Sequence, residues 1–120
     1  MRCMVIVKAT NDSEKSVMPS PELLVAMGKY NDELVKAGII KEAGGLRPTS
    51  HGKRVRLAGS QRTVIEGPFT PVQEQIAGYW IWQIQSIDEA VEWLKRCPNP
   101  MLEDSEIEIR PEFDAADFAR

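Results

Sequence analysis

Residues Ala77 to Gln85 carry large side chains on both alternating faces, and this run constrains the rest of the fold more than any other. Tyr79, Trp80, Ile81, Trp82 and Ile84 fit a strand in the middle of a sheet, because a half-exposed strand would leave one of its two apolar rows in water. A period of two places Trp80, Trp82 and Ile84 on one face and Tyr79, Ile81 and Gln83 on the other. The strand at Arg2–Ala9, with Val5, Ile6 and Val7, has the same two-sided character and belongs beside it. A sheet of this kind needs cover on both faces.

Two helices are available to supply that cover. Ser20-Pro21 opens the first, in which Leu23, Met27, Tyr30, Leu34 and Ala37 recur at spacings of four and three before Gly38 stops it, and Asp32 and Lys36 can pair on its outer side. Ser86-Ile87-Asp88-Glu89 has the form of a capping box and starts the second, which carries Ile87, Ala90, Val91, Leu94 and Cys97 on one stripe and ends at Pro98. Between the helices lie a strand over 39–48 interrupted by Gly44-Gly45, where a bulge or a close backbone approach is expected, a turn at His51-Gly52, and the runs Lys53–Leu57 and Arg62–Glu66. Those two runs are spaced as a hairpin. The alternating stretch Glu106–Arg110 is a last strand, with Ile107 and Ile109 facing the core, and Thr10–Ser20 reads as a loop. The order strand, helix, strand, hairpin, strand, helix, strand is an α+β arrangement with both helices on one face of a mostly antiparallel sheet. The second face is then apolar and unpaired on a monomer, so a homodimer with sheet against sheet is expected.

The chain's 120 residues suit one domain, expected over 1–113, with 114–120 as a C-terminal tail. Fifteen basic and eighteen acidic residues are interspersed, for a net charge of −3, so nucleic acid is not expected as a partner. The N-terminal apolar run is too short for a membrane span or a signal peptide, and a cytoplasmic location is expected. Cys3 and Cys97 have no ligand spacing and read as two reduced thiols, so neither a metal site nor a cofactor is expected.

Candidate chemistry gathers around Glu66-Gly67-Pro68-Phe69. Gly67 and Pro68 force a corner, Phe69 adds an aromatic face, and Thr70-Pro71 with Gln73 has the form of a helix start able to hold an anion. Arg47, Arg56 and Arg110 offer guanidinium forks for a carboxylate or phosphate, against the plainer reading of a solvated face on which Arg110 pairs with Glu106 or Glu108. His51 is a candidate for acid-base work with Glu66 or Glu108, against the reading of an exposed turn histidine. Tyr79 and the tryptophans can line a pocket or simply form core. Gln83, an amide in an apolar strand, is expected to be buried and in need of partners.

The opening strand, Tyr30-Asn31-Asp32-Glu33-Leu34-Val35-Lys36-Ala37-Gly38, Gly45-Leu46-Arg47-Pro48, Glu66-Gly67-Pro68-Phe69, Glu74-Gln75-Ile76-Ala77-Gly78-Tyr79 and Ser86-Ile87-Asp88-Glu89-Ala90 together resemble the YCII-related proteins, and within them the group named for a DGPF motif. The resemblance implies a ferredoxin-like βαββαβ fold with an extra hairpin, paired as a dimeric α+β barrel, with pockets for a small molecule, an anionic one among the candidates, between the sheets beside Glu66–Thr70. It also implies a non-catalytic alternative, since relatives are encoded beside extracytoplasmic-function sigma factors and act as regulatory partners in that reading. The motif's Asp is Glu66 here. The His–Asp pair suspected in catalytic relatives has no counterpart, so enzymatic and non-enzymatic readings both stay open.

Overall fold

The computed structural model describes residues 1–119, and Arg120, the last residue of the expected tail, lies outside them. In chain order the elements are β1 (Arg2–Lys8), α1 (Asn11–Glu14), α2 (Pro21–Lys36), β2 (Ile40–Gly45), a 3-10 turn (Thr49–His51), β3 (Lys53–Ala58), β4 (Gln61–Glu66), a second 3-10 turn (Val72–Glu74), β5 (Ile76–Gln83), α3 (Ile87–Lys95), β6 (Ile107–Pro111) and α4 (Ala115–Phe118). Four strands form one antiparallel sheet in the order β2-β5-β1-β6, while β3 and β4 form a separate two-stranded sheet. The two segments that are apolar on both faces, β5 and β1, therefore occupy the middle of the main sheet, and the α+β class follows.

The covered face is built as its periodicity requires. Cys3, Val5, Val7, Trp80 and Trp82 pack with Tyr30 and Leu34 of α2 and Ala90 of α3 in one core, against which Ile107 and Ile109 also rest. Large aromatic rings dominate that core: Trp80 stands edge-on to Tyr30 with ring centres 6.3 Å apart and lies 5.7 Å from Trp82. The polar ends of these rings are mostly satisfied. Tyr30 Oη donates to the Trp93 carbonyl at 2.7 Å and Trp80 Nε1 donates to Asn31 Oδ1 at 3.1 Å, whereas buried Trp82 Nε1 finds no acceptor. Helix starts follow the sequence: Ser20 Oγ accepts from Leu23 N at 3.1 Å and Ser86 Oγ from Glu89 N at 3.2 Å.

The opposite face carries Met4, Ile6, Tyr79 and Ile81, bordered by Lys8, Glu42, Gln83, Glu108 and Arg110. Its apolar centre is narrower than expected, because Ile6 and Ile81 are only 7% and 8% exposed. Exposed apolar side chains include Val55, Leu57, Val64 and Ile65 on the hairpin, Phe113 and Phe118 near the C-terminus, and Leu24, Val25 and Val35 on α2.

Several local expectations change. Thr10–Ser20 is not all loop: Thr10 and Ser13 exchange side-chain and backbone hydrogen bonds as a capping box and start α1. Of the two readings at Gly44-Gly45, the close approach holds: a Cβ on Gly44 would stand 2.9 Å from the Tyr79 ring and one on Gly78 would stand 3.1 Å from the Gly44 carbonyl oxygen, while the register shift in β2 falls between Ile40 and Glu42. Asp32 and Lys36 form no ion pair among the described residues, and Glu33 reaches Arg96 of α3 at 3.9 Å. No helix of the described residues is long and apolar enough to cross a membrane.

Candidate functional site

The Glu66–Thr70 corner lies where the hairpin rejoins the body of the protein, and its atoms are largely engaged with one another. Gly67 N donates to the Gly52 carbonyl at 3.0 Å, which extends the hairpin ladder by one step beyond the Lys53–Glu66 pair. Phe69 N donates to Thr49 Oγ1 at 2.9 Å, and the Thr49 hydroxyl and amide both donate to the Glu14 carboxylate, the amide at 2.9 Å. On the other side, the Arg54 guanidinium lies 3.9 Å from the centre of the Phe69 ring and donates to Gln75 Oε1 at 3.1 Å, while Gln75 Nε2 donates to the Pro71 carbonyl at 3.1 Å. Gln75 is nearly buried, so each of these bonds satisfies a group withdrawn from water. The corner is a latch that joins α1, the hairpin and the start of β5.

The helix start expected at Thr70 does not form. Pro71 keeps an extended ψ of 147°, Val72–Glu74 makes a single 3-10 turn, and no side chain caps it. A residue that precedes proline is held away from helical angles, so Thr70 and Pro71 together delay helical geometry and no aligned set of free N–H groups gathers there. The Gly67–Pro68 and Thr70–Pro71 peptide bonds are both cis.

The carboxylate and imidazole candidates are separated. Glu66 is exposed and pairs with Lys53 at 3.2 Å, and Glu108 lies 3.9 Å from Lys8 and 4.0 Å from Arg110. His51 ends its 3-10 turn exposed, in contact with neither carboxylate among the hydrogen bonds and ion pairs of the described residues. Arg47 is exposed in the connection after β2, and Arg56 stands on the hairpin opposite Thr63. Tyr79 Oη donates to Glu42 Oε1 at 3.4 Å. Its residue also borders a cavity of about 400 Å³ with Met27, Asn31, Trp80 and Met101.

Gln83 and Arg110 do come together. Both line a cavity of about 720 Å³ bounded by Arg2, Glu112, Phe113, Asp114 and Asp117, where the chain leaves β6 and turns into α4. Gln83 is exposed rather than buried, because it ends β5 opposite Arg2 at the margin of the sheet. Its side-chain amide has no hydrogen-bond partner among the described residues, and Arg110 has only the long contact to Glu108. Arg2 is held by Glu112 at 3.2 Å. Asp114 and Asp117 cap α4 reciprocally, each through one carboxylate oxygen.

Sequence reasoning missed Glu14, Thr49, Arg54 and Gln75 at the corner, and the tail wall at the cavity. The latch residues are far apart in sequence and gave no local signal. The tail did give one, since Asp114 and Asp117 have capping spacing.

The family described as the YCII-related domain matches residues 1–112. A curated relative, an uncharacterized protein of Rhizobium meliloti (strain 1021), is 29% identical over 77 residues, which is 64% of this chain and 62% of the relative. The match thus spans less than two thirds of that relative's length.

Proposed function

This chain belongs to the YCII-related family, and from that premise we propose that it is a homodimeric protein that binds a small molecule bearing an anionic group in the cavity shared by Gln83 and Arg110. The proposed frame is a single domain over 1–113 in ferredoxin-like βαββαβ order with an inserted hairpin, supported by the strand order β2-β5-β1-β6 with both helices on one face. Two such units pair through the sheet faces that carry Met4, Ile6, Tyr79 and Ile81.

One observation carries the binding reading. An uncommitted amide and a weakly held guanidinium open into a cavity of a size suited to small ligands. The guanidinium fork suits a carboxylate or phosphate, and the unused oxygens of Asp114 and Asp117 on the same wall favour a zwitterion over a simple anion. Catalysis would need a proton-transfer pair, and His51, Glu66 and Glu108 are not in contact, so the reading is one of binding.

The test is a thermal-shift screen of amino acids, small dicarboxylates and inorganic phosphate. A ligand that binds at saturating concentration raises Tm, and Arg110→Gln or Gln83→Ala should remove most of that rise while leaving the unliganded Tm nearly unchanged. Equal shifts in wild type and both variants, or no shift with any of these compounds, would overturn the assignment.

A further inference from the structure

Every side chain of β3 and β4 except Ala58 is exposed, and among the described residues the two strands pair with each other alone. The register places Val55, Leu57 and Val64 on one face with the Lys53–Glu66 pair and Arg62, and these three apolar residues are 55%, 69% and 59% exposed. A lone two-stranded hairpin is marginal in water, and this one is presented in a fixed direction by the latch at its base. The molecule as a whole has surface to spare. Its accessible area of 8449 Å² compares with about 6,500 Å² for a compact monomer of its mass, and its radius of gyration of 16.5 Å with about 13.6 Å for its length. The excess, roughly 1,900 Å², is of the size that each subunit of a stable obligate dimer gives up.

Charge indicates where the hairpin goes. Residues 53–66 hold four basic side chains against one acidic, within a chain of net charge −3. Residues 101–119 hold seven acidic side chains, namely Glu103, Asp104, Glu106, Glu108, Glu112, Asp114 and Asp117, against Arg110 alone. That acidic stretch includes β6, an edge strand of the main sheet.

We propose that the β3–β4 hairpin is an arm that docks on a second copy of this chain, laying its Val55-Leu57-Val64 face, with Lys53 and Arg62 on the same side, against the acidic β6 side of that copy. Exchange of arms closes the pair with two-fold symmetry and brings positive charge beside the carboxylates that line the Gln83–Arg110 cavity. The proposal rests on the dimer reading above and adds the element that makes the contact.

Sedimentation equilibrium of the full chain separates the two. Wild type is expected as a dimer whose dissociation constant rises with salt, while Val55→Glu/Leu57→Glu, and separately Lys53→Glu/Arg62→Glu, raise it by at least about tenfold. Leu57→Ser, a milder change on the same exposed face, should weaken it in the same direction with circular dichroism and melting unchanged. A wild-type dimer that all three variants leave intact overturns the arm and spares the dimer. A wild-type monomer at micromolar concentration overturns both.

Discussion

The Thr49 carbonyl oxygen lies so close to Gly67 that a Cβ at position 67 would stand 1.7 Å from it, with the Gly52 carbonyl oxygen at 3.1 Å. Both neighbours are backbone and belong to the 3-10 turn and the hairpin base, so neither can swing aside as a side chain would. Gly67 does not have a positive φ, and it meets a requirement for space rather than for unusual backbone angles. Gly67→Ala should therefore lower stability by about 3 kcal/mol, at the upper end for overpacking, as read from the urea midpoint at unchanged m. Gly45→Ala is the control, since a Cβ there meets nothing within 4 Å. A loss at Gly67 no larger than at Gly45 would show that the corner yields.

Glu14 holds the same turn from the other side. Its carboxylate accepts from both the amide and the hydroxyl of Thr49, and the hydroxyl in turn accepts from Phe69 N. Hydrogen bonds to a charged acceptor contribute more than neutral ones, so Glu14→Ala should cost about 2 kcal/mol and Glu14→Gln less, since an amide oxygen can still accept one bond. Thr49→Val, which keeps the shape and removes the hydroxyl, should be destabilising as well. In the double variant the losses should fall short of their sum, because both remove the same contact. Strict additivity would mean that the carboxylate and the hydroxyl act independently.

The fold was legible where periodicity was strong, and the latch was not. Trp80 and Trp82 against Tyr79 and Ile81 announced a central strand with two different faces, and Ser20 and Ser86 announced both long helices, because these signals lie within one strand or one turn. The corner's engagement depends on Glu14, Thr49, Arg54 and Gln75, which meet only after the hairpin has folded back. Gln83 was misread because an amide inside an apolar run looks buried, whereas its place at the end of β5 leaves it in solvent. Thr70-Pro71-Val72-Gln73 has good capping residues, yet the extended Pro71 withholds the turn they would cap.

Cys97, beside the last turn of α3, is held well away from the thiolate form. Burial raises its pKa from an ordinary 9.0 to about 11. Between those two values the unfolded chain has released the proton and the folded chain retains it, so the folded state binds more protons and stability falls as pH rises. Below pH 9.0 the contribution is constant. Cys97→Ala should flatten part of this decline, measured as the urea midpoint across the alkaline range. The remaining slope includes Tyr30, whose hydroxyl is also raised by burial. The same burial predicts slow labelling of native Cys97 by iodoacetamide near neutral pH, and fast labelling there would contradict it.

Arg54 joins the hairpin to the body by two contacts, the Phe69 ring at 3.9 Å and Gln75 Oε1 at 3.1 Å. Removing the guanidinium leaves the Gln75 oxygen without its donor in a nearly buried site, at a cost of about 1–3 kcal/mol. The ring contact adds about 0.5–1 kcal/mol. The main sheet keeps its own hydrogen bonds, so the loss should be local: in Arg54→Ala, amides of Val55 to Glu66 should exchange faster while those of β1 and β5 hold their protection. Arg54→Lys should restore little, because an ammonium has no planar face to lie on the ring and lacks the fork that reaches both groups at once. Recovery of hairpin protection by lysine would mean that charge alone anchors the arm. Faster exchange throughout the main sheet would mean that the hairpin and the body unfold as one unit.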